Sequence, residues 1–313
     1  MKISNSRTFN SLPILAVIFL LFNGIGYGQL PKIFTKSDLN LRGNVKSCLV
    51  ITDYGKEAYE FNKEGLLTKL TTLHSATDYD ISYYKYSNGL LKEKRLENYR
   101  EDSLDRQTSI ANIYFIDTLR NKIIKELIYS YQEEFLEQYD YFYDDLGVLT
   151  TVKRKNNEGI DETQISYDSI EGERTKTISV NGILDKTFRR SFYGEKNKKD
   201  LLNILEKEYV NGEPYKATEI FQDSLGRKQK EILFAYDPAK SSFAKSREYI
   251  YEYEEHGFLA KKSTLVNNQK SKEEYIYQLD AHQPPNWIKQ IITPSNSYTT
   301  RKIVYYEEEL PKE

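Results

Sequence analysis

A chain of 313 residues with 45 basic and 47 acidic side chains carries a formal net charge of −2 and has no basic stripe, which argues against a nucleic-acid partner. Its single cysteine, Cys48, excludes an internal disulfide, so stability must come from packing and backbone pairing. The outlier in composition is tyrosine, with 27 Tyr and 14 Phe against eight Pro. Large flat side chains suit a pleated, half-buried surface, and proline would remove donors from a sheet ladder.

Residues 1–28 read as a signal peptide. Lys2 and Arg7 form a basic start, Leu12–Phe22 is an apolar run of eleven residues, and Gly26-Tyr27-Gly28 supplies a small-x-small site before Gln29. The run is well short of the ~20 apolar residues of a spanning helix. Cleavage would remove two positive charges and no acidic residue, taking −2 to −4. The expectation is an exported protein, periplasmic or extracellular, with residues 29–313 forming one domain.

Pro31–Asn40 reads as an extended lead-in with one helical turn at Ser37–Leu39. The first strand lies within Leu41–Thr52, with Val45, Ser47 and Leu49 alternating against Lys46, Cys48 and Val50. The chain then repeats itself. Tyr59–Leu70 (YEFNKEGLLTKL), Tyr84–Lys94 (YKYSNGLLKEK), Tyr141–Val152 (YFYDDLGVLTTV) and Tyr251–Lys262 (YEYEEHGFLAKK) share one plan. Weaker copies are Ile165–Arg174, Thr218–Glu231, Tyr114–Glu126 with Asn121 in the glycine slot, and Tyr275–Gln290 with Asn286-Trp287 there. A recurrence of about 24–32 residues marks a repeat architecture.

Each unit has a simple chemistry. An aromatic-x-aromatic run forms a strand, and an acidic or amide residue (Asn62, Asp144, Asp223) starts a turn by bonding its own backbone. Glycine then closes the turn at positive φ; the six structural turn glycines are Gly65, Gly89, Gly147, Gly172, Gly226 and Gly257. Leu67, Leu91, Leu149 and Leu259 restart the alternation. At the other end of the units stand Asn181-Gly182, Asn211-Gly212 and Asn267-Asn268, the dipeptides of two-residue hairpins. The fold class is therefore all-β: a long antiparallel meander of about 16–20 strands, curled into a roll or open barrel-like sheet, since so many strands do not stay flat. The Tyr-x-Tyr stripe is assigned to the inner face, with Tyr249, Tyr251, Tyr253, Tyr275 and Tyr277 on one side and Leu259 bridging them. Lys198–Tyr209, with Asp200 as N-cap, reads as a short helix or a long crossing that could plug an end of the roll.

The units resemble the tyrosine–aspartate (YD) repeats of the RHS family, Y-x-Y-D-x-x-G-x-L. Tyr141-Phe142-Tyr143-Asp144-Asp145-Leu146-Gly147-Val148-Leu149 matches every named position, while other copies replace the Asp by Asn62, Ser87 or Glu254. With Asn286-Trp287-Ile288-Lys289 and Arg301–Tyr306, the chain resembles short exported YD-like proteins of Bacteroidetes. The resemblance implies the repeat fold. It transfers no functional residue, and the chain lacks the length, toxin domain and self-cleaving core of a full RHS shell.

No catalytic, cofactor or metal residues are assigned. His74, His256 and His282 are scattered and lack zinc spacing. Asp144-Asp145 and Asp78/Asp80 lack a calcium-loop ladder. No P-loop, G-x-G-x-x-G or G-x-S-x-G occurs. A transmembrane barrel would need an apolar band on every strand, whereas Glu60, Lys85 and Glu252 lie opposite the tyrosines and mean hydropathy is −0.68. The expected function is a non-enzymatic exported repeat protein offering a binding or structural surface in the cell envelope, its partner an envelope protein or glycan. The alternatives are a carbohydrate-binding module, which needs coplanar exposed Tyr or Trp in one groove, and an envelope enzyme, which needs a pocket of convergent polar groups.

Overall fold

The computed structural model describes residues 30–193 and 201–307. The expected signal peptide, the expected N-cap Asp200 and the last six residues lie outside them. Twenty strands follow one another in chain order. They are β1 (Val45–Thr52), β2 (Gly55–Phe61), β3 (Leu67–Leu73), β4 (Tyr79–Ser87), β5 (Leu90–Arg100), β6 (Ser103–Asp117) and β7 (Lys122–Ser130). Next come β8 (Phe135–Tyr143), β9 (Leu149–Asn156), β10 (Gly159–Ile170), β11 (Glu173–Val180), β12 (Ile183–Tyr193) and β13 (Leu201–Val210). The last are β14 (Glu213–Gln222), β15 (Lys228–Asp237), β16 (Ser242–Tyr253), β17 (Leu259–Val266), β18 (Gln269–Leu279), β19 (Trp287–Thr293) and β20 (Ser297–Tyr305). Each pairs antiparallel with the next, and β1 pairs with β20, Cys48 opposite Ile303 and Val50 opposite Arg301. The meander is a closed barrel of 20 strands, which leaves no free edge.

The turns alternate between two ends. At the glycine end, four loops are built alike. The first residue accepts the backbone N–H four positions on, at 2.9 Å for Asn62, 2.7 Å for Asp144, 2.9 Å for Asp223 and 2.6 Å for Glu254. The glycine N–H returns to the first residue's carbonyl at 2.9 Å in each case. Gly65, Gly147, Gly226 and Gly257 stand at φ +81°, +75°, +75° and +81°. Gly89 and Gly172, at φ +73° and +86°, sit instead in the two-residue turns Asn88-Gly89 and Glu171-Gly172. Asn121, in a glycine slot, has φ +51°. At the far end, Asn181-Gly182, Asn211-Gly212 and Asn267-Asn268 all have positive φ at both positions, the requirement of a type I′ hairpin.

Replacing Gly147 or Gly257 by Val should cost about 1–2 kcal/mol each, because a β-branched residue is forced into the left-handed region. At Gly147 a new Cβ would also meet Lys122 Cε at 3.0 Å. Thermal melts check this; unchanged melts for both variants would contradict the loop geometry.

One device sets the inner face. Just past most glycine-end turns the returning strand carries an extra residue, so that Tyr253 faces Leu259 while Glu252 faces Lys261, whereas β10–β11 and β12–β13 keep unbroken register. The same shift recurs at Phe61/Leu67 against Glu60/Lys69, at Tyr143/Leu149 against Phe142/Thr151, and in β4–β5, β6–β7 and β14–β15. A bulge of this kind reverses the parity of the strand beyond it. Leu259 therefore shares the lumen face with Lys262, not with Lys261 and Ser263 as simple alternation predicts. A bulge between Val45 and Ser47 acts likewise on β1. Val45, Cys48 and Val50 point inward and are buried, although Val45 and Cys48 fall on opposite sides of a simple alternation.

The inner face holds the core. Tyr59, Tyr84, Tyr114 and Tyr141, one from each of β2, β4, β6 and β8, are at most 7% exposed. They pack with Leu67, Leu70, Leu91, Ile123 and Val152. The outer wall carries cross-strand ion pairs at mid-strand: Lys85–Glu93 at 3.0 Å, Lys155–Asp140 at 3.2 Å, Lys153–Glu162 at 3.1 Å and Lys230–Glu248 at 3.3 Å. That wall is unlike the apolar band of a lipid-facing barrel.

Lys198–Tyr209 is neither helix nor crossing over its described part: residues 201–210 form β13. Leu202, Ile204, Glu206 and Glu208 follow one face and pair with β12 and β14. The end is plugged by residues 30–44 instead. Lys36 N–H donates to Gly65 O at 2.9 Å, Leu67 N–H to Phe34 O at 2.9 Å, and Thr35 bridges Leu66. The expected helical turn is a 3-10 turn, Lys36–Leu39. Beyond it the chain is tied to the loop before β19. Asn286, fully buried, accepts from Arg42 N–H at 2.8 Å and donates to Arg42 O at 2.9 Å. Asn286 thus does not take the glycine role its place in the repeat suggests, and it lacks positive φ.

Candidate functional site

Between the plug and the inner faces of β15–β20 and β1–β3 lies a cavity of about 840 Å³. Its aromatic wall is the Tyr-x-Tyr stripe. Tyr251 and Tyr253 on β16 and Tyr275 and Tyr277 on β18 share the lumen face, because Tyr251 lies opposite Lys262 and Lys262 opposite Glu273. The bridge between the two stripes is Lys262, whose Nζ sits 4.9 Å from the Tyr249 ring centre and 3.5 Å from Glu273. Leu259, the residue expected there, lies at the glycine end of the same wall.

The tyrosine hydroxyls are engaged. Tyr251 donates to Glu231 at 2.6 Å, Tyr253 to Lys228 O at 2.8 Å, Tyr275 to Glu273 at 3.1 Å and Tyr277 to Leu259 O at 2.8 Å. Burial first, then these carboxylates, push the Tyr251 and Tyr275 hydroxyls well above the usual phenol range. Burial takes Tyr277 to about 12. The rings are half-buried and tilted: Tyr249–Tyr251 at 39°, Tyr277–Trp287 at 48° and Phe258–Tyr277 at 43°. A coplanar stacking platform is not what they form.

Next to Tyr277 and Trp287, Arg301 on β20 sits over the Trp287 ring, with Cζ 3.4 Å from the ring centre. Its Nη2 donates to Leu39 O at 3.0 Å, fastening the plug. Its Nε and Nη1 are buried without a partner. Burial pushes its pKa down to about 10. The titratable groups acting on it are Cys48, Tyr59 and Tyr277, and burial holds Cys48 up at about 11 and Tyr59 higher still, so all three are neutral at pH 7.

The histidines stay apart. His74 Nε2 meets Asp80 at 2.7 Å, His256 Nδ1 meets Glu254 at 2.9 Å, and His282 stacks on Tyr305 at 4.0 Å. Asp78 accepts Glu101 N–H, and Asp80 also pairs with Arg100 at 2.9 Å. Among the described residues no three His, Cys, Asp or Glu converge in a metal-binding group. The six turn glycines lie at the glycine end, with Gly226 and Gly257 on the cavity rim. Arg301, Trp287 and Asn286 were not singled out as site residues by the repeat pattern. The lone Trp in a tyrosine-rich chain was the available signal.

No family model matches the sequence, and no curated protein matches it. Among solved structures, the chain is similar to a porin-like protein from Bacteroides uniformis, at 10% identity and TM-score 0.33, over 83% of this chain and 98% of that one. It is also similar to a porin-like protein from Bacteroides vulgatus, at 9% identity and TM-score 0.26, over 84% and 98%. TcdB2-TccC3-TEV matches at 11% identity and TM-score 0.20, over 78% of this chain and 19% of that much longer one. At these values none of the three assigns a function.

Proposed function

We propose that this chain is an exported, non-enzymatic binding protein that holds a small ligand inside its barrel. The observation behind this reading is the ~840 Å³ cavity, walled by tyrosines and Trp287 and roofed by residues 30–44. That size and an aromatic wall interspersed with polar and cationic side chains suit a small-molecule site. The one carboxylate lining it, Asp38, is held by Lys32 at 3.1 Å and by Thr35 N–H at 2.8 Å, which favours a binding role over an acid–base one. Sugar stacking is the weaker reading, because the rings are tilted and their hydroxyls engaged.

Trp287, the only tryptophan, lines the cavity and reports on it directly. The neutral dye Nile red should bind the mature chain saturably, one per chain, with energy transfer from Trp287. Absence of saturable binding, or binding without transfer, would count against an internal site.

A further inference from the structure

We infer that the cavity selects anions: its ligand is a small organic carboxylate whose apolar body rests on the tyrosine wall. This deepens the internal-site reading and rests on it. Five cationic side chains line the cavity, Lys32, Arg227, Lys228, Lys262 and Arg301, against the single carboxylate Asp38. Four of the five have carboxylate partners: Lys32 with Asp38 at 3.1 Å, Arg227 with Asp223 at 2.8 Å, Lys228 with Glu231 at 3.1 Å and Lys262 with Glu273 at 3.5 Å. Arg301 has none among the described residues; its one acceptor is the neutral carbonyl of Leu39.

Leaving a buried guanidinium without a counter-charge is costly, and the cost falls when an anion arrives beside it. Arg301 is positioned for that role. Trp287 supports one face of its plane, and the hydrogen bond to Leu39 O fixes its end. Thr299 lines the same wall and offers a neutral hydroxyl near the charge, next to Gln290, whose Nε2 donates to Tyr277 OH at 3.1 Å. Further round the lumen, Tyr251 on β16 presents its ring because its hydroxyl is already used, while Tyr277 packs beside Trp287. A carboxylate at the Arg301 end and an apolar ring at the Tyr251 end satisfy both together.

The test compares 3-phenylpropionate with its neutral isostere 3-phenylpropanamide, each displacing Nile red from the mature chain at pH 7 with Trp287 emission as second readout. The acid should compete at concentrations about tenfold lower than the amide, as expected for a hydrogen-bonded charge pair. In Arg301→Met the preference should vanish while dye binding persists, and in Arg301→Lys it should be partly retained. Arg301→Met should also melt no lower than the parent, since it removes an uncompensated buried charge. Equal competition by acid and amide in the parent chain overturns the anion inference while leaving the internal site intact. Failure of the dye itself to bind overturns both. Should Arg301→Met not fold, the parent-chain comparison and Arg301→Lys still decide.

Discussion

Raising the pH above about 10 should unfold this protein steeply. Tyr59, Tyr114 and Tyr141 face the lumen at 2%, 5% and 5% exposure, and burial holds each hydroxyl far above its ordinary value of 10. Glu126 adds to this by accepting from Tyr141 at 2.9 Å. A raised pKa in the fold means that the unfolded chain releases these protons first. The stability they confer is complete below pH 10 and is lost as the pH rises past it. Each such group removes about 1.4 kcal/mol per pH unit. Arg301 works the other way. Its folded pKa of about 10 lies below its ordinary 12.5, so the fold gains one proton's worth of stability between those values. Lys94 and Lys176, lowered by burial, oppose in the same sense. They are outnumbered, because Tyr251, Tyr275, Tyr139 and Tyr86 are also raised. Circular dichroism and phenolate absorbance, followed together from pH 8 to 12, should change in one cooperative step. Smooth ionisation near pH 10 with the sheet intact would show that these hydroxyls are not buried.

Asn286→Ala should cost about 3 kcal/mol, since it strands several buried hydrogen-bonding groups at once. The Asn286 amide holds both the N–H and the C=O of Arg42 and donates to Tyr305 OH at 2.8 Å. Without it, the plug retains the Arg42 guanidinium stacked 4.4 Å from the Phe258 ring centre and its bond to His256 O. Those contacts hold a side chain, whereas Asn286 holds the backbone. The variant should melt lower, and trypsin should cleave at Lys36 and Arg42 much faster. An unchanged melt with unchanged cleavage would mean that the plug is not anchored there.

The repeat pattern carries much of the fold. In Tyr141–Leu149 each named residue has a physical task that can be read from its type: the tyrosines for the inner face, Asp144 for the turn, Gly147 for positive φ. The bulges were hidden because the extra residues, Thr68, Thr150 and Ala260, look like any next position in a period-2 count. One such residue moves Lys262 into the lumen and Lys261 out of it. Lys198–Tyr209 misled because Leu201, Leu202, Ile204 and Leu205 fit a helical stripe, whereas in β13 they divide between two faces. Beyond the bonds of Phe34 and Lys36 to the Gly65 loop, the plug and the cavity depend on contacts between residues 214 to 262 positions apart, such as Arg42 with His256 and Arg301 with Leu39. No local pattern records those. For the same reason Arg301 reads in the sequence as one more charged strand residue, and only closure of β20 onto β1 places it inside.

Closure is therefore the claim on which the lumen, the plug and the cavity all depend. Leu49 and Lys302 face each other across the β1–β20 seam. With Cys48→Ser removing the native thiol, the double substitution Leu49→Cys and Lys302→Cys should form an intramolecular disulfide under mild oxidation, since directly opposed positions in an antiparallel pair meet the required Cα separation. A closed barrel predicts near-complete crosslinking within single chains. Free thiols after oxidation, or crosslinks only between chains, would mean that the first and last strands do not meet.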